Sequence, residues 1–340
     1  MKVLIVKTSS LGDVLHTLPA VTDAMLARPG IQFDWVVEEA FAEIPAWHPA
    51  VRRVIPVALR RWRKQPVQAV CSGEWGRFRN ALRADRYDRI IDAQGLLKSA
   101  VFTRMARGIR CGLDRHSARE SLAALAYQER YAIPKGQQAS ERLRQLFAAA
   151  LSYELPTTAP EYGIRCASPS PGNLSDKVVF VHGTTWSTKL WPDEYWVQLA
   201  QLVTGAGLTV QLPWGSAGEL ERAQRIAKTA HNIEVLPKMS IGQMAQVLAS
   251  ARGVVGLDTG LTYLAIALGV PTATLYGATR PEFTETPAHG QRYIRADFPC
   301  SPCMSRTCSY RGESPVQPAC YQTLPPDTVW YTARELFDAR

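Results

Sequence analysis

Two stretches decide the fold. Residues 2–6 read KVLIV and run into Lys7-Thr8-Ser9-Ser10-Leu11-Gly12-Asp13, and residues 177–183 read KVVFVHG and run into a loop ending at Pro192. A short β-branched run that is apolar at every position after its leading lysine fits a parallel strand buried on both faces. Outward from the first run, a helical period covers about Gly12 to Ala27, with Val14, Leu15, Leu18, Val21 and Met25 on one face. Strands are expected at 33–38, 51–57 and 88–93, and helices at 96–106 and 140–151. Outward from the second run, Pro192 opens a helix, with Asp193 and Glu194 in its first turn as the helix dipole prefers. Strands at 208–214, 233–236, 253–258 and 271–276 alternate with helices at 216–230 and 259–268. Alternating strands and helices imply parallel sheets covered on both faces, here twice. The expectation is two Rossmann-like α/β domains, 1–160 and 174–325, with a closing helix at 326–340. They are joined by the Pro/Ser-rich stretch at 155–173. Ligands in such sheets bind at the carboxyl ends of the strands, so the expected site is a cleft faced by both domains.

Composition agrees. The chain has 340 residues, 46% of them hydrophobic and 20% charged, which excludes a disordered protein and allows about two domains. No run of 18 apolar residues appears, and the N-terminal run reads as a strand rather than a signal peptide, so a cytoplasmic protein is expected. The net charge of +9 lies wholly in one half. Residues 1–170 hold 25 Lys and Arg against 16 Asp and Glu, whereas residues 171–340 hold 14 of each. That field suits an anionic partner, although surplus charge also serves solubility. No nucleic-acid-binding motif accompanies it.

Four loops carry residues of chemical interest. The first, Lys7 to Asp13, has one glycine and matches neither a dinucleotide fingerprint nor a phosphate-binding Walker loop. It offers Asp13 beside Lys7, Ser9 and Ser10. Asp13 reads equally as a helix cap or as a general base toward a sugar hydroxyl. The second, after the 177–183 strand, gathers Thr184, Thr185 and Lys189 ahead of a helix, which suits a diphosphate. The third, Asp258-Thr259-Gly260-Leu261-Thr262-Tyr263, is a strand end opening a helix, where amides hold an anion and Asp258 accepts from sugar hydroxyls. Glu219 can reach a ribose diol or merely support a helix start, and Met239 can wall an adenine. The fourth is Arg60-Arg61-Trp62-Arg63-Lys64, a basic run that binds phosphates or carboxylates, or is a solvated loop. Lys98, Arg115, His116 and Arg119 lie in later loops of the same domain and extend the case for an anionic ligand.

Seven cysteines without an export signal argue against a disulfide framework. Cys300, Cys303, Cys308 and Cys320 have a spacing near that of a metal knuckle, but only the first pair is C-x2-C. Free thiols or redox-dependent disulfides are the alternative.

Taken together, KTSSLGDVLHTLPA at 7–20, FDWVVEEAFAEIPAWHP at 33–49, VIPVALRRWRK at 54–64, IDAQGLLKSA at 91–100, GLDRHSARE at 112–120 and LDTGLTYLAIALGVPTATLYG at 257–277 resemble the lipopolysaccharide heptosyltransferases of glycosyltransferase family 9, those of type I above all. The resemblance runs along nearly the whole chain. It implies a GT-B fold of two Rossmann-like domains facing a central cleft, and inverting transfer with no cofactor and no catalytic metal. The donor would be ADP-L-glycero-β-D-manno-heptose. The acceptor would be the Kdo sugar of Kdo2-lipid A, reached at the cytoplasmic face of an anionic inner membrane without nucleic acid. Asp13 would be the general base. Thr184, Thr185, Lys189, Glu219, Met239, Asp258, Thr259, Gly260, Leu261, Thr262 and Tyr263 would hold the donor. Lys7, Ser9, Ser10, Arg60, Arg61, Arg63, Lys64, Lys98 and Arg119 would hold the acceptor. The chain departs from the pattern at Tyr263, where some relatives have His, at Gly277-Ala278-Thr279, where Gly-Pro-Thr is more usual, and in the cysteine cluster.

Overall fold

A computed structural model describes residues 1–165, 175–284 and 290–339. The chain divides into two compact units, Met1–Arg165 and Cys166–Arg340. The expected linker at 155–173 falls partly outside the described residues.

The first unit is built on six parallel strands: β1 (Lys2–Val6), β2 (Gln32–Glu38), β3 (Val51–Val57), β4 (Arg86–Asp92), β5 (Arg107–Leu113) and β6 (Glu129–Tyr131), in the order 3-2-1-4-5-6. The second repeats the plan with β7 (Lys177–Val181), β8 (Thr209–Leu212), β9 (Ile233–Val235), β10 (Gly253–Leu257), β11 (Thr272–Tyr276) and β12 (Gln291–Arg295). Its order, 12-11-10-7-8-9, is the same topology. The two Rossmann-like sheets are therefore present. In each, the first and fourth strands lie side by side where the winding reverses, which leaves a crevice outside their carboxyl ends.

Both opening runs are central strands: Val3 to Val6 and Val178 to Phe180 are fully buried. Around the first sheet, Leu4, Val6, Val36, Ile55, Phe78 and Phe102 form one apolar cluster. Around the second, Phe180, Trp191, Trp196 and Tyr321 are buried in one apolar cluster. The Trp191 indole N–H is not stranded, because it donates to the Leu324 carbonyl at 3.1 Å. The helix Pro326–Asp338 buries Val329, Ala333, Leu336 and Phe337. It packs on the helix Asp193–Gly205 and on β11 and β12, all in the second unit.

The single helix expected over Gly12–Ala27 is two, Leu11–Leu15 and Leu18–Ala27. Pro19 has no N–H to continue the first helix, and it sits instead in the first turn of the second, where that N–H is not needed. Strands β5, β6 and β12 were not visible in the sequence pattern. They are edge or next-to-edge strands, short or broken by Gly and Arg, and not continuously apolar.

Candidate active site

The candidate loops lie at the two switch points, one in each unit. In the first unit they follow β1 and β4. The buried Trp35 of β2 donates its indole N–H to the Lys7 carbonyl at 3.1 Å, which ties the β1 loop to the sheet. From the β4 side, Gln94 reaches across. Its Oε1 accepts from the Thr8 N–H at 2.9 Å and the Ser9 N–H at 3.2 Å, and its Nε2 donates to the Ser9 carbonyl at 2.6 Å. Gln94 is held by Asp92, a fully buried carboxylate that accepts from the Gln94 and Gly95 N–H groups and from the Tyr127 hydroxyl at 2.7 Å. Tyr127 lies across β5 because position 112 is glycine. A Cβ there would stand 2.4 Å from the ring. Burial raises the Asp92 carboxyl above its usual value despite these donors.

Asp13 occupies the centre of this frame. Its Oδ2 accepts from the Ser10 N–H at 2.8 Å and the Ser10 hydroxyl at 2.9 Å, a capping box on the Leu11–Leu15 helix. Its Oδ1 lies 3.5 Å from the Lys7 ammonium. Burial alone would raise the Asp13 carboxyl. The Lys7 charge, the Ser10 hydrogen bonds and the His16 charge outweigh it and hold the group down to about 2. The cap and the base readings are thus not exclusive, since the cap is what aims an ionised carboxylate.

Lys7 was expected to face an acceptor. It is 5% exposed, and its ammonium also donates to the Ala93 carbonyl at 2.9 Å, so it is buried beside Asp13 rather than open to a ligand. Lys98 donates to the Ser9 hydroxyl at 3.0 Å. Partial burial lowers its ammonium, reinforced by Arg60 and Arg119 and opposed by Glu38 and Asp13, so these five charges share one neighbourhood. Glu38, at the end of β2, accepts the Arg60 backbone N–H at 3.1 Å, which anchors the basic helix Leu59–Lys64 beside the site. The four basic residues of that helix are not equivalent. Arg61 is a strut, paired with Glu39 at 3.0 Å and Glu74 at 2.7 Å. Arg60, Arg63 and Lys64 are exposed.

In the second unit the loops follow β7 and β10. Lys189 crosses from one to the other, with its ammonium 2.6 Å from Asp258 Oδ2 and 3.3 Å from the Asp258 carbonyl. The Tyr321 hydroxyl fixes the Lys189 carbonyl at 2.8 Å, and Trp186 lies under its ammonium, 4.8 Å from ring centre. Thr279 donates to Asp258 Oδ2 at 2.6 Å and the Tyr263 hydroxyl donates to Oδ1. Asp258, expected to accept from sugar hydroxyls, is 6% exposed with both oxygens engaged. The structure makes it the anchor of Lys189. Tyr263 is buried and its hydroxyl belongs to this floor, and burial beside Tyr276 and Asp258 raises its phenol well above the ordinary value. Thr262 is also buried, donating to the Leu257 carbonyl at 2.7 Å, and Gly256 leaves room for it: a Cβ there would meet its hydroxyl at 2.4 Å. Thr259, Gly260 and Leu261 are half-buried at the start of the helix Gly260–Ala267, and Thr259 caps it with no side-chain bond.

Glu219 caps the helix Ala217–Ala227, its Oε2 accepting the Gly215 N–H at 2.8 Å and the Ser216 N–H at 3.0 Å. Its Oε1 lies over Gly183, where a Cβ would stand 2.2 Å away, so the β8 loop adjoins the β7 loop. Burial, reinforced by Arg222, lowers His182 to about 4, so this ring is neutral. Thr184 and Met239 are half-buried and Thr185 is exposed. Cys300, Cys303, Cys308 and Cys320 line one small cavity with Thr188 and Tyr310. These thiols are free, and among the described residues no three His, Cys, Asp or Glu side chains are placed to hold a metal ion.

Sequence reasoning did not single out Asp92, Gln94 or Glu38. The signal was present, since each closes a strand of the first sheet or opens the turn after it, where Rossmann-like sheets place their ligands.

Comparison with known proteins extends this geometry. The profile of glycosyltransferase family 9 (heptosyltransferase) matches residues 75–313. Lipopolysaccharide heptosyltransferase 1 of Pseudomonas aeruginosa is 53% identical over 342 residues, covering 97% of this chain and 96% of the relative. Lipopolysaccharide heptosyltransferase 2 of Escherichia coli is 24% identical over 87% of this chain and 88% of its own. The solved structure of E. coli heptosyltransferase WaaC with ADP has a TM-score of 0.86 at 45% identity, covering 99% of this chain and 100% of that one. The same enzyme with ADP-2-deoxy-2-fluoro heptose has a TM-score of 0.84 at 46% identity, covering 98% and 99%. The fold class is accordingly GT-B, and the chain is an enzyme that belongs to glycosyltransferase family 9, the heptosyltransferases.

Proposed function

We propose that the protein transfers L-glycero-D-manno-heptose from ADP-heptose to the Kdo of Kdo2-lipid A, with inversion, in assembly of the lipopolysaccharide inner core. The observation that carries this reading is the likeness to heptosyltransferase 1 at 53% identity over nearly the full chain, against 24% for heptosyltransferase 2.

The chemistry needs a base for the incoming hydroxyl and stabilisation of the departing diphosphate. Asp13, ionised and aimed by Ser10 and Lys7, takes the acceptor proton as its oxygen attacks the anomeric carbon. Arg60, Arg63, Lys64, Lys98 and Arg119 receive the acceptor's carboxylates and phosphates, with Ser9 and Ser10 at the rim. Lys7 and Arg61 support these groups from behind.

Lys189 and the amides of Thr259, Gly260 and Leu261 receive the diphosphate, with Thr184 and Thr185 beside them. A helix start and a fixed ammonium stabilise the charge that develops there as the glycosidic bond breaks. Glu219 takes the ribose diol, and Met239 packs on the adenine. Asp258, Thr262 and Tyr263 hold this arrangement in place. In this reading ADP-heptose is a substrate, no cofactor takes part, and no catalytic metal is needed. The enzyme works at the cytoplasmic face of the inner membrane. Among the described residues no helix is long and apolar enough to cross one.

Mixing the purified protein with ADP-heptose and Kdo2-lipid A, with and without chelator, tests the reading by mass spectrometry. It predicts a gain of one heptose on the acceptor in both cases. Transfer only to an already heptosylated acceptor would move the assignment to heptosyltransferase II, and transfer lost in chelator would refute metal independence.

A further inference from the structure

The first unit carries an apolar surface that the catalytic scheme does not use. Leu97 and Val101 stand one turn apart on the helix Leu97–Met105 and are 48% and 52% exposed. Leu122 and Leu125, in the 3-10 segment Ser121–Ala126, are 61% and 69% exposed. The two elements pack on each other, with Ala100, Ala123, Ala124 and Ala126 buried in one small cluster. The Leu97 N–H donates to the Glu120 carboxylate at 2.6 Å, which binds the segments further. Exposed aliphatic residues occur singly on most surfaces, whereas four on two adjoining elements form a patch.

The setting of this patch is cationic. Residues 97–130 contain seven Lys and Arg against three Asp and Glu. Lys98, Arg104, Arg115 and Arg119 are all exposed. Aliphatic tips among exposed cations match an anionic bilayer, whose headgroup phosphates meet the cations and whose acyl boundary takes the tips. A second copy of this net-basic chain would oppose like charge to like. The patch also lies at the end of the sheet that bears Asp13. Its helix begins just after β4, and Lys98 in its first turn is bonded to Ser9.

We propose that the Leu97, Val101, Leu122 and Leu125 face docks the protein on an anionic lipid surface, beside the half-site that takes the acceptor sugar. The purpose of the docking rests on the acceptor assigned above, but the docking itself does not.

Co-sedimentation with vesicles of phosphatidylcholine alone and of phosphatidylcholine with phosphatidylglycerol tests it, using the full chain. The wild type should bind the anionic vesicles, release them as salt rises, and leave the neutral ones. The variant V101Q/L122Q/L125Q should bind at least tenfold more weakly, yet keep its turnover of a water-soluble, acyl-free Kdo acceptor. The variant R104E/R115E, which leaves every aliphatic in place, should lose anionic binding as well. Unchanged vesicle binding by both variants would overturn the proposal. So would a wild-type dimer that V101Q/L122Q/L125Q turns into a monomer, because the face would then be a self-interface. If neither protein turned over the soluble acceptor, the function would be at fault, while the vesicle comparison would still decide the docking.

Discussion

Replacing Lys7 by Met should bring an acid limb into the pH profile of transfer. In the wild type the Asp13 carboxyl is held at about 2, so it is ionised throughout the working range. Lys7 lies 3.5 Å from Asp13 Oδ1. At that separation the attraction is about 1 kcal/mol in bulk water and about 5 kcal/mol at an effective dielectric of about 20. Since one pK unit is about 1.4 kcal/mol, losing Lys7 raises Asp13 by roughly one to three units. The burial that opposes ionisation stays in place. The carboxyl therefore moves from about 2 toward the range of roughly 3 to 5, and the fraction of ionised base falls as pH drops through that range. The assay is kcat/KM for the acceptor at saturating donor, from pH 4 to 8. The wild type should show no loss attributable to Asp13 above pH 4, the Met variant should lose activity progressively below about pH 6, and Lys7→Arg should restore the flat profile. A Met variant whose activity fell by the same factor at every pH would refute the reasoning, since Lys7 would then act without setting the charge of Asp13.

Three further outcomes follow from particular contacts. Arg61→Ala should lower Tm while barely moving the acceptor KM, because its guanidinium is spent on Glu39 and Glu74, whereas Arg63→Ala with Lys64→Ala should raise the acceptor KM and leave Tm alone. Lys189→Met should weaken ADP binding in calorimetry by about tenfold or more, since it removes a charge-assisted contact and leaves Asp258 buried beside Thr279 and Tyr263 without its cation. Gly183→Ala should push Glu219 off its cap, costing about 1 kcal/mol of stability and weakening adenosine diphosphate binding as Glu219→Ala does. A wild-type affinity in both variants would detach Glu219 from the donor.

The central strands were legible because VLIV at 3–6 and VVFV at 178–181, each after a leading lysine, are apolar at every position, as a strand covered on both faces requires. The loops after them were legible as sites because each is polar just where a buried strand ends. What stayed hidden is pairing at a distance. Nothing in the spacing of Gln94 says that its amide will span Thr8 and Ser9, some 85 residues away in the chain. Nothing in Arg60-Arg61-Trp62-Arg63-Lys64 says which guanidinium will find Glu39 and Glu74. Lys7 and Asp258 were read as ligand contacts because charge at a strand end suggests one, and only the fold shows that they face Asp13 and Lys189. The helix break before Pro19 was visible in principle, while β5 was hidden by its Gly and Arg, and β6 and β12 by their polar residues and short length.

In the proposed reaction the base lies on the first unit and the departing diphosphate on the second. Asp13→Asn tests this most directly, because it keeps the size of the side chain and removes its charge and proton affinity. Donor affinity by calorimetry and single-turnover transfer to Kdo2-lipid A would be measured on the same preparation. The prediction is an unchanged affinity for ADP-heptose and a transfer rate lower by about 10²- to 10⁴-fold at every pH. A rate within a few-fold of the wild type would contradict it and take the proton transfer away from Asp13.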